Sequence, residues 1–372
     1  MAIIENFGRI FFDFGAIRYL PEACESLDIK RPLLASDRNL ESLGLVDKVK
    51  SALDGKIDYT EYLDLPEHPT VAGVEASAEK FREEECDGFL ALGGGSIIDN
   101  CKAATILVNH PLPLKQYAGR PDLVTGRTAP IIAIPTTAGT GAELTRGGGI
   151  HPAHGEREFG VGGPKSQPKI AICDPDLTMG LPPHLTAGTG MDAVGHCIEG
   201  LFSPNVNPPV EAISLDGIQR AAAYIERAYK NGNDREARWQ MMMAALQGGM
   251  SISKGLGLAH SLGITFSDSD LHHGVLVTLC LPTVIRYVDG HVGDKMERLA
   301  EVLKTDNSNG VAEAISNLSH RLELPPSIRA MGYDRTDIDD MALSVRDCWF
   351  TKTSPRSPSL AECQDLVRTC LS

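Results

Sequence analysis

The stretch "SKGLGLAHSLGITFSDSDLHHGVLVTLCLP" sets three histidines, His260, His272 and His273, among apolar and small residues. Imidazoles in such surroundings serve as metal ligands, as proton carriers or as packed ring systems, and this segment alone leaves all three open. A second stretch, "GTGMDAVGHCIEG", carries Asp192 and His196 four positions apart. On a helix that spacing turns both side chains to one face. It suits half of a metal site, and it equally suits a surface ion pair. Together with His260 and His273 it supplies one carboxylate and three imidazoles. Such a set fits a borderline divalent ion, Fe(II) or Zn(II), better than magnesium or calcium, which prefer oxygen ligands.

Two glycine-rich turns offer a different chemistry. In "LALGGGSIIDNCKAA", three glycines (Gly93, Gly94, Gly95) follow an apolar strand and precede a helix that opens with Ser96 and carries Asp99. Without side chains the backbone can approach a ligand closely, and the free N–H groups of the helix start suit a pyrophosphate. The run is not the G-x-G-x-x-G fingerprint, and a tight turn without a ligand would read the same way. In "IPTTAGTGAELT", Thr136, Thr137 and Thr140 line a small loop with hydroxyls at another strand end. That loop suits a ribose or a nicotinamide amide, or is simply a polar turn. Asp37 ends the strand "RPLLASD". A carboxylate there can accept from ribose hydroxyls and repel a 2′-phosphate, which favours NAD over NADP. It is also a good helix N-cap, and the two roles can coexist.

The elements that must position these groups divide the chain in two. Up to residue 182, short apolar strands ("RPLLASD", "GFLALGGG", "APIIAIPTT", "KIAICDP") alternate with amphipathic helices ("LESLGLVDKVKSAL", "TVAGVEASAEKFREEEC", "SIIDNCKAATILV"). This alternation predicts a mostly parallel, doubly wound sheet whose ligands bind at the carboxyl ends of the strands. From residue 183 to 372 the pattern is helical throughout, from "LTAGTGMDAVGHCIEGLF" to "SLAECQDLVRTCL", and the Met241–Met243 run reads as core filling. The expected architecture is an N-terminal α/β domain, residues 1–182, and a C-terminal all-helical domain, residues 183–372.

Composition narrows the function. With 372 residues the prior is about two domains. A net charge of -14 and a pI near 5.2 argue against a nucleic-acid partner, which calls for a basic surface. The start "MAIIENFGRIFF" lacks a signal-peptide pattern, and no apolar run has the length of a membrane span. Nine scattered cysteines without a C-x-x-C pair suit reduced thiols in a cytoplasmic enzyme.

Taken in order along essentially the whole chain, the glycine–serine–aspartate run, the threonine–glycine loop, "GMDAVGHCIEG" and "GLGLAH…HHG…LP" closely resemble the iron-dependent (group III) alcohol dehydrogenase family. The resemblance implies a dinucleotide-binding parallel-sheet α/β domain, a helical-bundle domain and an active site in the cleft between them. It implies NAD on Gly93, Gly94, Gly95, Ser96 and Asp99 beside Thr136, Thr137 and Thr140, and a metal on Asp192, His196, His260 and His273. His272 is left without a ligand role; it is read either as a structural histidine or as the carrier of the substrate proton. The implied reaction is hydride exchange between a small alcohol and its aldehyde or ketone, in a homodimer. The alternative on the same fold is a reductase or transhydrogenase of an oxo or hydroxy acid, with Arg146 or Arg157 meeting the anion. Three positions depart from the common pattern of the family: Ile264 replaces a histidine, Ala142 a serine, and Glu158 a lysine.

Overall fold

The computed structural model describes residues 7–372, which form two compact units. Residues 7–137 with 142–180 make one, and residues 181–372 with 138–141 make the other.

The first unit is built on a six-stranded parallel sheet. Its strands are β1 (Arg9–Phe12), β2 (Pro32–Ala35), β3 (Thr60–Tyr62), β4 (Gly88–Gly93), β5 (Ile131–Pro135) and β8 (Ile170–Cys173). They lie in the order β1-β8-β5-β4-β2-β3, and a separate antiparallel hairpin pairs β6 (Gly147–Ile150) with β7 (Phe159–Gly162). Central strands buried on both faces read as continuous apolar runs, and here the strand period of two divides them between two cores. Phe89, Ala91, Ile131 and Ala133 pack with helices α4 (Val71–Glu83) and α5 (Gly95–Leu107). Leu90, Leu92, Ile132 and Ile134 pack on the other face with α1 (Leu20–Ser26) and α3 (Leu45–Leu53).

The single helix expected over "LESLGLVDKVKSAL" is two. Short α2 (Arg38–Ser42) stops before Gly44, whose φ of 73° lies in the left-handed region that glycine tolerates, and α3 starts afresh. Strands β1 and β3 and the glycine-rich hairpin β6–β7 have no counterpart in the sequence reading. β1 and β3 are edge strands of four and three residues, too short for a period of two to stand out.

Strand order reverses between β2 and β4: from β2 the chain goes outward to β3, then returns to β4 on the opposite side. In open parallel sheets such a reversal leaves a crevice at the carboxyl ends of the two strands. Asp37 follows β2 by two residues and Gly94 follows β4, so both stand at that crevice.

Among the described residues, the second unit has no strand. Its helices are α6 (Pro183–Phe202), α7 (Pro208–Lys230), α8 (Arg235–Ile252), α9 (Leu258–Thr265), α10 (His273–Tyr287), α11 (Lys295–Leu303), α12 (Ser308–Arg321), α13 (Ile338–Asp347) and α14 (Leu360–Leu371). None of the described helices is long and apolar enough to cross a membrane. α6 is the axis of the unit: it packs on α7, α8 and α10, and every residue from Thr186 to Phe202 is buried. Pro183 suits its first turn, where a missing N–H costs nothing.

Buried cations fasten both ends of α6. At the start, Arg238 of α8 donates to the Thr186 hydroxyl (2.9 Å) and the Leu181 carbonyl (3.0 Å). At the end, fully buried Lys254 donates to the Leu201 carbonyl (3.0 Å) and to Glu211 (2.8 Å). A cation at a helix C-terminus meets both the unpaired carbonyls and the negative end of the dipole. Burial is the main force on the Lys254 ammonium and pulls its pKa down to about 8, against the pull of Glu211.

Candidate metal centre and cofactor turn

Three segments carry the donor groups. Asp192 and His196 lie one turn apart on α6, His260 is on α9, and His273 is the first residue of α10. Asp192, His260 and His273 each present one donor atom, and the three atoms lie within 4.8 Å of one another. His196 is adjacent but outside that tight group. Its Nε2 is 3.8 Å from Asp192 Oδ1, and its ring stacks on His260 with centroids 4.6 Å apart. The structure thus gathers three of the four expected ligands and leaves the fourth within reach on the same helical face.

What drives α10 against α6 is a residue without a side chain. A Cβ at Gly274 would stand 2.4 Å from the Gly188 carbonyl oxygen and 2.8 Å from Asp192 Cβ. Only glycine allows this approach, and it is what carries His273 to Asp192. His272 caps the start of α10, and its ring lies over Gly188, where a Cβ would stand 2.9 Å from the ring. Ile264, at the position where the family commonly has a second histidine, is buried in α9.

The donor atoms behave as a ligand set rather than as a packed polar cluster. Asp192 Oδ1 and His260 Nε2 face each other at 3.6 Å, beyond a hydrogen bond, and both are buried without a hydrogen-bond partner. Buried polar atoms are nearly always satisfied, so a facing pair of orphans with the His273 donor beside it marks a place for a cation. One carboxylate with imidazoles matches the preference of iron or zinc. Burial opposes ionisation of Asp192, but the surrounding imidazoles outweigh it and hold the carboxyl well below its usual range. Burial brings His196 and His273 down to about 4, which keeps both rings in the neutral form that ligation needs. Burial also pulls on His260, yet its contacts with Asp192 and Glu199 lift it to about 9.

Glu199 lies in the same sequence motif as Asp192 and His196, and its residue type alone does not mark it. Its carboxylate accepts from the His260 ring Nδ1 (2.5 Å) and from the backbone N–H groups of Ala259 (2.7 Å) and His260 (3.2 Å). A signal existed: Glu199 follows Asp192 by seven positions and His196 by three, which puts it on the same face of α6.

In the sheet unit, Gly94 is the N-cap of α5 and Gly95 and Ser96 form its first turn. Thr136 extends the ladder past Pro135 by donating its N–H to the Gly93 carbonyl (3.0 Å), so Thr137 lies over Gly94. Thr140 belongs with the helical unit, together with Gly139, whose Cβ would stand 2.2 Å from the Thr189 carbonyl oxygen. Asp99 does not stand alone. The ammonium of Lys102, itself fully buried, donates to Asp99 Oδ1 (2.7 Å), the Thr145 hydroxyl (2.7 Å) and the Gly147 carbonyl (3.1 Å). Burial raises the Asp99 carboxyl, and Lys102 opposes the shift. Lys102 lies in the same glycine–serine–aspartate motif, and only its burial reveals its task.

Asp37 is the N-cap of α2 and accepts from the Leu40 N–H (2.9 Å). Arg146 and Arg157, the two cations considered for an anionic substrate, precede opposite ends of the β6–β7 hairpin, and the hairpin register keeps them apart. Glu158 lies over Gly149 across that hairpin, 3.8 Å from His151 Nε2.

The chain matches two family descriptions: "Iron-containing alcohol dehydrogenase" over residues 8–175 and "Fe-containing alcohol dehydrogenase family, C-terminal" over residues 186–371. It is 39% identical over 375 residues to 4-hydroxybutyrate dehydrogenase of Cupriavidus necator, covering 97% of this chain and 98% of that one. It is 32% identical to 1,3-propanediol dehydrogenase of Citrobacter freundii, covering 96% of each. A crystal structure of 1,3-propanediol oxidoreductase superposes with a TM-score of 0.92 at 31% identity, over 97% of both chains.

The close approach at Gly274 yields a direct expectation. Gly274→Ala should cost about 1–3 kcal/mol, the usual range for overpacking, read from denaturant midpoints. It should also lower the metal content of protein purified without oxygen, measured by elemental analysis. An alanine variant with full metal content would show that the Gly274 contact does not set the place of His273.

Proposed function

The chain belongs to the iron-containing alcohol dehydrogenase family, and on that premise we propose that Asp192, His196, His260 and His273 hold divalent iron, with zinc as the alternative ion. The protein is an oxidoreductase that interconverts an alcohol and its aldehyde or ketone, dependent on NAD and metal. The observation that carries the ligand set is the group of buried donor atoms without hydrogen bonds around Asp192 Oδ1. When bound, the ion supplies a Lewis acid for a substrate hydroxyl, and the nicotinamide accepts the hydride. For NAD we assign Gly93, Gly94, Gly95, Ser96, Asp99, Thr136, Thr137 and Thr140, with Asp37 toward the adenosine ribose. The helix start at Gly95 offers free N–H groups to the pyrophosphate, and the buried Lys102 holds Asp99 in place.

The substrate class in this reading is a short hydroxy acid and its semialdehyde. What favours it over a plain alcohol is the 39% identity to 4-hydroxybutyrate dehydrogenase across nearly the whole of both chains. Steady-state rates with NAD and a panel of 4-hydroxybutyrate, 1,3-propanediol and 1-butanol test it. The expected result is a kcat/KM for 4-hydroxybutyrate at least about tenfold above that for 1-butanol, roughly the 1.4 kcal/mol of one recognised group. Equal values for the two would return the reading to a simple alcohol.

Cofactor choice gives a second test, because the N-cap role of Asp37 can be kept while its charge is removed. Asparagine caps as well as aspartate. Asp37→Asn should therefore fold with unchanged stability and lose much of the preference for NAD over NADP. A natural protein that uses both cofactors equally would rule the carboxylate out as the discriminator.

The proton of the substrate hydroxyl needs a carrier, and Ile264 offers none. We place this role on His272, next to the ligand His273 in the chain. General acid–base assistance is worth about 10²–10⁴-fold. His272→Ala should keep its metal and lose at least about tenfold in turnover, partly restored by added imidazole. Undiminished turnover across pH 6–9 would make His272 a structural ring.

A further inference from the structure

We infer that Glu199 is a positioning residue for the metal centre: one carboxylate caps helix α9 from a neighbouring helix and fixes which nitrogen of His260 faces Asp192. The inference rests on the metal reading given above and concerns a residue to which that reading gives no task.

Helix α9 starts without a side-chain cap of its own. Its N-cap is Gly257, which has no side chain to accept from the first N–H groups of the helix. Those of Ala259 and His260 are met instead by Glu199, which reaches across from α6. The capped residue and the ligand are therefore the same: His260 is both the third helical residue of α9 and the imidazole that meets Asp192. Glu199 Oε1 takes the Ala259 N–H, and Oε2 takes both the backbone N–H and the ring Nδ1 of His260. Backbone and ring are tied to one oxygen, so the ring cannot turn without breaking the cap.

The tautomer follows from the acceptor. A carboxylate oxygen can only accept, so Nδ1 carries a hydrogen, and Nε2 is the nitrogen that gives up its proton to offer a lone pair when a metal binds. Nε2 is the nitrogen that faces Asp192 and has no partner. A metal-bound histidine that donates its other N–H to a carboxylate is held in orientation and made a stronger ligand. The faces of the ring are held as well, by the stacked ring of His196 and the edge of Phe350 at 5.9 Å. By contrast, the buried His196 Nδ1 has no carboxylate partner. Of these two rings, His260 is the one held in place by a carboxylate.

Capping and positioning can be separated by experiment. The probe is zinc ion, titrated into metal-free protein in competition with a chromophoric chelator. Melting temperatures of the metal-free forms are taken in parallel. Glu199→Gln keeps the shape but sets an amide N–H₂ against a donor, and it should weaken zinc binding by about 10–100-fold. The double variant Glu199→Ala with Gly257→Ser restores a cap from within α9, in space that the glutamate side chain has vacated. It should regain thermal stability without regaining zinc affinity. Recovery of both would show that Glu199 is only a cap and would overturn the inference. Zinc affinity of Glu199→Gln equal to that of the natural protein would do the same. His260→Ala is the control for the underlying reading: if it binds zinc as tightly as the natural protein, the metal assignment itself fails and takes this inference with it. Should Glu199→Gln not fold, histidine-selective ¹⁵N spectra of the natural zinc form decide the matter. They should show His260 bound through Nε2 with Nδ1 protonated, and binding through Nδ1 would refute the assignment.

Discussion

Two atoms that face each other and do not bond, Asp192 Oδ1 and His260 Nε2, set the terms for the helical unit. Leaving a buried polar group unpaired costs about 1–3 kcal/mol, and more when it is charged. A protein free to relax would turn one side chain away or admit a new partner. This one cannot, because the neighbours of each atom are fixed elsewhere. α6 is buried from Thr186 to Phe202, with Arg238 on its first turn and Lys254 on its last carbonyls. α10 is locked against it at Gly274, and the His260 ring is held by Glu199. The arrangement is thus held by three helices that are each stable for other reasons. Such pre-organisation is what lets a binding site keep its shape before its ligand arrives.

The sheet unit solves a different problem, that of bringing backbone close to a ligand. Its solution is topological. Reversal of strand order between β2 and β4 opens the crevice, and the short turn after β4 puts the start of α5 there. The one buried cation nearby, Lys102, is consumed by Asp99, Thr145 and Gly147. It ties the helix that starts at the glycine turn to the strand β6, so the turn is supported from behind by a charge that never meets solvent.

Most of this was legible wherever the signal was local. The periodicity of the long helices and the apolar runs of β2, β4, β5 and β8 fell where the structure has them, because each is decided by burial of its own residues. The fold and family were readable from the spacing of a few motifs. Interactions that join distant residues at short elements were not. β1 pairs with β8, and the hairpin β6–β7 consists largely of glycine, so neither has a side-chain pattern of its own. Gly44 divided one expected helix because its freedom at positive φ, not its polarity, mattered. Within the site, Asp192, His196, His260 and His273 are recognisable by residue type. Gly274, Glu199 and Lys102 are known only through what stands opposite them. Aspartate 37 shows the middle case, in which the cap is visible in the structure and a second role for the same carboxylate is a matter of chemistry.

The pairing of β1 with β8 also bears on how the chain comes off the ribosome. Arg9 lies opposite Ile170 and Phe12 opposite Cys173, so β1 has no neighbour in the sheet until β8 has emerged. At about 5–20 residues per second, that wait lasts on the order of ten seconds, during which "RIFF" is an apolar edge without a mate. In the finished fold the strand carries its own cover: the Arg9 guanidinium lies 4.4 Å over the Phe11 ring, and Tyr19 stacks on that ring at 5.1 Å. All of these groups come from the first twenty residues. The nascent segment therefore has at hand the means to shield its aromatic face while the rest of the sheet is still being made.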